Sequence, residues 1–248
     1  MELTILGCGG GVPRPGGALC GQLVSHGDSR IWVDAGSGTL GVLLKYAAIA
    51  DIDTVVISHR HFDHFLDLYA FAYAREQLTE VDPTTPRFRL VGPPDFLEHA
   101  KGLTGMRSTL DAVLDWTPIV PGDSVQLGAV RLDTALMRHG VPTLGMRFCA
   151  GDRTIAYSAD TGPCDELVEI ARDADVLVCE AMYGADAPGE PVHLSARDAG
   201  EHAERAEARS LLLTHVWYER DLDAACAAAR QAYGGPVSAA AADDVLRI

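Results

Sequence analysis

The stretch Ser58-His59-Arg60-His61-Phe62-Asp63-His64 sets three imidazoles and a carboxylate within six positions. Neutral imidazole and carboxylate are donors that zinc, iron and manganese accept. The cluster directly follows Thr54-Val55-Val56-Ile57, a short β-branched run of the kind that forms a buried strand. It therefore stands where a strand ends and a loop begins. In an extended loop alternate side chains point the same way, so His59 and His61 can face one point while Asp63 and His64 turn toward a neighbouring one. A solvated polar turn explains such a density of histidines poorly. A metal centre is the chemistry this stretch predicts.

Other strand ends carry side chains able to complete such a centre. Ile31-Trp32-Val33 reads as a strand ending at Asp34, whose carboxylate could equally cap a helix over Thr39-Leu40-Gly41-Val42-Leu43-Leu44. Residues 129–137 read as a strand before His139, and Leu144–Cys149 pairs with Thr154–Ser158 through a turn at 150–153, with Asp160 two residues on. Residues 176–181 form a strand that carries Glu180 into a loop. His193 precedes Ser195-Ala196-Arg197-Asp198, a capping box that opens a helix to about residue 208. Leu211-Leu212-Leu213-Thr214 is a buried strand ending at His215. Helices are also expected over 65–77, 165–174 and 222–233, with a helix and connector over 95–118 and short strands at 88–91 and near Val237.

Two familiar motifs are excluded. An opening strand, Leu3-Thr4-Ile5-Leu6, is followed by Gly7-Cys8-Gly9-Gly10-Gly11-Val12. A dinucleotide fingerprint would need a glycine where Val12 stands and a helix where Pro13 and Pro15 fall. The stretch reads instead as a tight glycine loop near an active-site edge. Gly36-Ser37-Gly38 lacks the Gly-x-Ser-x-Gly spacing of a nucleophile elbow.

The 248 residues suffice for a single domain, read here as residues 1–248. A net charge of −15 disfavours general binding to nucleic acid phosphates. Cys8, Cys20, Cys149, Cys164, Cys179 and Cys226 form no C-x-x-C pair and are read as reduced thiols of a cytoplasmic protein. No apolar run approaches the length of a membrane span, and none follows a basic N-terminal segment.

The pattern His-x-His-x-Asp-His after a strand resembles the signature of the metallo-β-lactamase superfamily. The resemblance implies an α/β fold, a four-layer αβ/βα sandwich, with metals at one edge. It implies two divalent ions, zinc above all, although His and Asp also suit manganese and iron. Carried over by motif, His59, His61 and His139 hold the first ion; Asp63, His64 and His215 hold the second; Asp160 bridges them. Asp34 would brace the metal loop by hydrogen bonds. Scaffold members that have lost ligands are set aside, because this set is complete.

The order of Asp160, Glu180-Ala181-Met182-Tyr183, His193-Leu194-Ser195 and Thr214-His215 resembles ribonuclease Z and its phosphodiesterase relatives. In that branch the histidine ahead of the helix protonates the leaving alcohol and the strand-end glutamate holds it, here His193 and Glu180. Asp63 orients an attacking water that bridges the two metals. Two departures stand out: Cys179 replaces a histidine of that branch, and the turn at 150–153 leaves no room for a tRNA-gripping arm. The resemblance therefore implies hydrolysis of a small phosphodiester, a cyclic nucleotide among the candidates, rather than tRNA 3′-processing. A lactonase or other ester hydrolase is the competing expectation, with Tyr183 or Tyr218 near the metals. Flavodiiron oxygen reductases carry Glu where His61 stands and are excluded. Relatives often dimerise, which makes the aromatic stretch 65–73 an expected homodimer interface.

Overall fold

Strand residues of this chain alternate between two apolar environments rather than between apolar and wet ones. In β3 (Ser29–Val33), Ile31 and Val33 face one core while Trp32 faces another; in β11 (Val176–Glu180), Val176 and Val178 oppose Leu177 and Cys179. Strands buried on both faces must be covered by layers on both sides. The computed structural model, which describes residues 1–186 and 192–248, has that architecture.

The remaining strands are β1 (Glu2–Gly7), β2 (Gly21–His26), β4 (Thr54–Val56), β5 (Phe88–Gly92), β6 (Leu114–Pro118), β7 (Ser124–Leu127), β8 (Val130–Leu136), β9 (Leu144–Ala150), β10 (Arg153–Tyr157), β12 (Leu211–Thr214), β13 (Val237–Ala239) and β14 (Val245–Arg247). They form two seven-stranded sheets, ordered β14-β1-β2-β3-β4-β5-β6 and β13-β12-β11-β10-β9-β8-β7. One core lies between the sheets, with Leu3, Ile31 and Val56 meeting Leu132, Phe148 and Val178. The helices are α1 (Thr39–Leu43), α2 (Asp67–Val81), α3 (Phe96–Leu103), α4 (Arg107–Val113), α5 (Asp165–Ala171), α6 (Ala196–Arg205) and α7 (Leu222–Ala232). Residues of α1–α4 pack on the outer face of the first sheet around Trp32, Phe71 and Phe88. Residues of α5–α7 pack on the outer face of the second around Leu177, Leu211 and Leu213. This is the expected αβ/βα sandwich.

Within each sheet, β3 through β6 and β10 through β13 run parallel, so consecutive loops leave from the same edge. The hairpin between β9 and β10 closes at Ala150 and Arg153, leaving only Gly151 and Asp152 as its turn.

Two sequence expectations need correction. Residues 95–118 hold two helices and then β6, an edge strand that continues the first sheet beside β5. Strands β2, β7 and β14 are additional to those read from the sequence. In the 65–73 stretch, Phe65, Leu68, Tyr69, Phe71 and Ala72 are interior, so only Leu66, Ala70 and Tyr73 stay exposed to meet another protein. No helix among the described residues is long and apolar enough to cross a membrane.

The capping box at α6 is as expected. Ser195 Oγ accepts from Asp198 N, and Asp198 Oδ2 accepts from Ser195 N at 2.9 Å. Because His193 lies two residues ahead, this cap fixes where the chain enters the site. Ser195→Ala is expected to destabilise the protein by about 1 kcal/mol, lowering Tm by roughly 2–4 °C. An unchanged melting curve would show that the helix start is held by other contacts.

Candidate metal centre

The carboxyl ends of six strands converge on one edge of the sandwich: Asp34 follows β3, the 58–64 loop follows β4, His139 lies past β8, Asp160 past β10, Glu180 ends β11 and His215 follows β12. Three chain reversals there use left-handed backbone at non-glycine residues, Asp34 (φ 54°), Ala159 (φ 49°) and His215 (φ 55°). Such conformations are costly for a side chain and persist where the surroundings over-determine them. Here they turn each strand end abruptly so that its donor projects inward.

The donors form two groups. His59 Nε2 and His139 Nε2 each lie 3.1 Å from His61 Nδ1. Asp160 Oδ2 stands 3.6 Å from His59 Nε2 and 3.8 Å from His139 Nε2. In the second group His215 Nε2 is 3.2 Å from Asp63 Oδ2 and 3.4 Å from His64 Nε2, which is itself 3.7 Å from Asp63 Oδ2. The other oxygen of Asp160, Oδ1, lies 3.2 Å from His64 Nε2 and 3.3 Å from His215 Nε2. Donors bound 2.0–2.1 Å from one tetrahedral ion stand about 3.3 Å apart. Both groups have spacings of that order, and Asp160 offers one oxygen to each. The donor set therefore fits two divalent ions, and all seven residues predicted as ligands are brought together.

The rings are aimed by their far nitrogens, as metal-binding histidines usually are. His64 Nδ1 is 2.7 Å from Asp34 Oδ2. His59 Nδ1 is 3.0 Å from Ser58 Oγ, which donates to Asp34 Oδ2 at 2.8 Å. His139 Nδ1 is 3.0 Å from the Val192 carbonyl. Asp34, fully buried, also accepts from Ser58 N at 2.8 Å and from Tyr157 Oη at 2.9 Å. It is thus the brace the resemblance implied and not a helix cap; Gly38 occupies the N-cap of α1. The glycine loop closes over the second group: Gly11 N donates to Asp63 Oδ2 at 2.8 Å, and Cys8 O accepts from His215 N at 2.9 Å. A Cβ on Gly10 would fall 2.5 Å from the His215 carbonyl oxygen, so only glycine allows this approach.

Electrostatics divide the histidines. Burial pushes His59 well below the ordinary histidine range, and nearby His64 adds to the effect. Burial also lowers His61 and His139. For His64, burial is outweighed by the Asp160 and Asp34 carboxylates, which lift it well above that range. His215 rises too, because Asp160 and Asp63 outweigh its burial. Asp63 stays low despite burial through its hydrogen bond to His215.

His193 and Glu180 lie beside Asp160. Glu180 is fully buried and accepts four bonds: from Thr161 N at 2.6 Å, His193 Nδ1 at 2.9 Å, and Met182 N and Leu194 N, both at 3.2 Å. His193 Nδ1 is 3.9 Å from Asp160 Oδ2. Its ring stacks on that of His215 at 5.6 Å, and its Nε2 makes no hydrogen bond among the described residues. Burial lowers its pKa, but the Glu180 contact outweighs this and leaves it raised. Of the tyrosines weighed, Tyr183 stands edge-on to the His193 ring at 6.0 Å, whereas Tyr218 Oη donates to Glu219. Cys179 is buried in the core behind β11.

Four contributors escaped the sequence reading: Ser58, Tyr157, Thr161 and Cys20. The Cys20 sulfur lies within 4.8 Å of donor atoms of His64 and His215. Burial holds its thiol well above the usual range, and Asp160 adds to this. Only Ser58 had a signal, its place immediately ahead of the cluster.

Residues 29–216 match the family model described as a Beta-lactamase superfamily domain. The chain belongs to this superfamily. Among relatives of this superfamily member, the probable metallo-hydrolase YhfI of Bacillus subtilis is 30% identical over 217 residues, 87% of each chain. The crystal structure of YhfI superposes with a TM-score of 0.92 at 27% identity, covering 99% of this chain and 98% of that one. Ribonuclease Z of Clostridioides difficile is 23% identical over 271 residues, covering 87% of this chain and 88% of its own length. A diphosphatase from the PhnP family shares the fold, with a TM-score of 0.79 at 18% identity over 100% of this chain and 97% of that one. The protein is a metallo-hydrolase of the β-lactamase fold, with a His/Asp cluster able to bind divalent metal.

Asp34→Asn keeps the shape of the brace but removes the charge that His64 Nδ1 and Tyr157 Oη face. Its affinity for zinc, measured against a competing chelator, is expected to fall about 10–100-fold. Wild-type affinity in this variant would refute the bracing role.

Proposed function

We propose that this protein is a binuclear metal-dependent phosphodiesterase acting on a small phosphodiester. The observation that carries the reading is the pair Glu180–His193: an imidazole pinned through Nδ1 to a buried carboxylate, with no hydrogen bond to Nε2 among the described residues, 3.9 Å from Asp160 Oδ2. A hydrolase of activated acyl bonds has little need for a held proton donor, because its leaving groups depart readily. A phosphodiester with an alcohol leaving group does need one.

His59, His61 and His139 would hold one ion, Asp63, His64 and His215 the other, and Asp160 both. Zinc suits this donor set, and manganese and iron suit it as well. When bound, such ions polarise a phosphoryl oxygen and lower the pKa of water. The chain supplies the rest. Asp63, kept ionised and fixed by Gly11 N, orients the attacking water. His193 gives a proton to the departing oxygen through Nε2. Glu180 holds that ring in the tautomer and orientation this transfer needs.

Substrate size is supported by the β9–β10 hairpin, whose turn is only Gly151 and Asp152, and by the net charge of −15. Neither offers a grip for a folded RNA, although relatives are named ribonuclease Z. A cyclic nucleotide is one compatible substrate. The lactonase reading rests on Tyr183, the tyrosine beside His193.

His193→Ala is expected to slow hydrolysis of diesters with alkyl alcohol leaving groups by about 10²–10⁴. It should affect p-nitrophenyl esters far less, because p-nitrophenolate departs without a proton. Equal losses on both would remove His193 from the acid role. The Glu180 charge raises His193, so activity on slow leaving groups persists to higher pH and is lost as pH climbs through that raised value. Glu180→Gln should shift this alkaline limb to lower pH; a limb that stays in place contradicts the pairing.

A further inference from the structure

Tyr183, whose ring stands edge-on to His193 at 6.0 Å, lines a cleft of about 340 Å³ together with Gly184, Ala185, Asp186, Arg220, Asp221 and Ala224. Its two carboxylates are already engaged. Asp186 Oδ1 accepts from Arg197 Nε at 3.0 Å, and Asp221 Oδ1 caps α7 by accepting from Asp223 N and Ala224 N. Its cation is not. Among the described residues the Arg220 guanidinium has no hydrogen-bond or ion-pair partner, in a protein of net charge −15.

Arg220 is nevertheless seated. Gly184 adopts φ +72°, and a Cβ there would fall 3.3 Å from Cβ, Cγ and Cδ of Arg220, so the arginine stem lies across the glycine. The backbone beneath is also fixed: Arg14 Nη2 donates to the Arg220 carbonyl at 2.7 Å, and Arg220 N donates to Trp217 O at 2.9 Å. Tyr183, next to that glycine, is anchored by its N–H to Leu194 O at 3.2 Å and stands edge-on to His193. The cleft thus offers an aromatic ring beside the proposed proton donor and a positioned guanidinium without a partner among the described residues. Stacking rings bind flat bases, and a guanidinium binds phosphate.

We propose that this cleft receives a nucleotide as the leaving group: its base on Tyr183, its own phosphate on Arg220, and its ribose 3′ oxygen at His193. The inference rests on the phosphodiesterase reading and narrows it to short linear dinucleotides bearing a 5′ phosphate. For pApA the balance is simple. Water oxygen bonds to phosphorus, the P–O3′ bond breaks, and the 3′ oxygen leaves with the His193 proton. His193 is reprotonated by the proton the water gives up, and two molecules of AMP result.

The test compares pApA, ApA and methyl p-nitrophenyl phosphate on the metal-loaded enzyme. The two dinucleotides share the scissile bond and differ only in the 5′ phosphate, so their ratio within one preparation cancels differences in folding and metal content. Wild type is expected to cleave pApA with kcat/KM about tenfold above ApA, and Arg220→Ala to bring the two within about twofold. Tyr183→Ala should lower both dinucleotides about tenfold relative to methyl p-nitrophenyl phosphate while keeping their ratio. A wild type indifferent to the 5′ phosphate, or a preference that survives Arg220→Ala, overturns the proposal. Cleavage of methyl p-nitrophenyl phosphate but of neither dinucleotide overturns it and leaves the phosphodiesterase reading standing. No cleavage of methyl p-nitrophenyl phosphate removes that reading and the proposal with it.

Discussion

One buried carboxylate joins the parts that make the centre. Asp34 comes from the first sheet, His64 and Ser58 from the loop after β4, and Tyr157 from the second sheet, yet all four meet at two oxygens. A fully buried carboxylate is costly unless its lone pairs are satisfied. Asp34 is satisfied only when both sheets are in register and the metal loop is closed. The constraint therefore runs in both directions: the sandwich must form for the carboxylate to be tolerated, and the carboxylate then fixes how the histidine loop sits on the sandwich.

Charge balance arises from the same arrangement. Asp34, Asp63, Asp160 and Glu180 lie close together with little exposure to solvent. In the metal-free protein the raised His64 and His215 offset them with protons. Divalent cations at the same position would compete with those protons, so the acidic cluster would attract metal while the protonated histidines would make its uptake depend on pH. His59, kept neutral by burial, already has an unprotonated nitrogen to offer.

The sequence made the centre legible because its donors lie just past strands buried on both faces. Thr54–Ile57 and Leu211–Thr214 are largely apolar runs, and the polar residues Ser58, His59 and His215 beyond them stand out by contrast. Strands without that contrast were hidden. β6 ends in Pro118 and alternates with solvent at the sheet edge, β7 is largely exposed, and β14 is three residues at the opposite edge. The bracing residues were hidden for a different reason. Tyr157 meets Asp34 across 123 positions of chain, and Cys20, just ahead of β2, nears His215 past β12 of the other sheet. Such contacts come from packing one sheet on the other, which local patterning does not encode. The left-handed turns at Asp34, Ala159 and His215 are likewise invisible in residue type, since they are imposed by the tertiary contacts that hold them.

Each donor group draws on both halves of the sandwich. His61 is 78 positions from His139, and His64 is 151 positions from His215. An ion held by either group would act as a staple across the two sheets, closing a chain loop of that length. Cross-links over long loops restrict the unfolded chain most. Chelation would accordingly loosen the seam between the sheets as well as disarm the chemistry, coupling the protein's persistence in the cell to the metal supply.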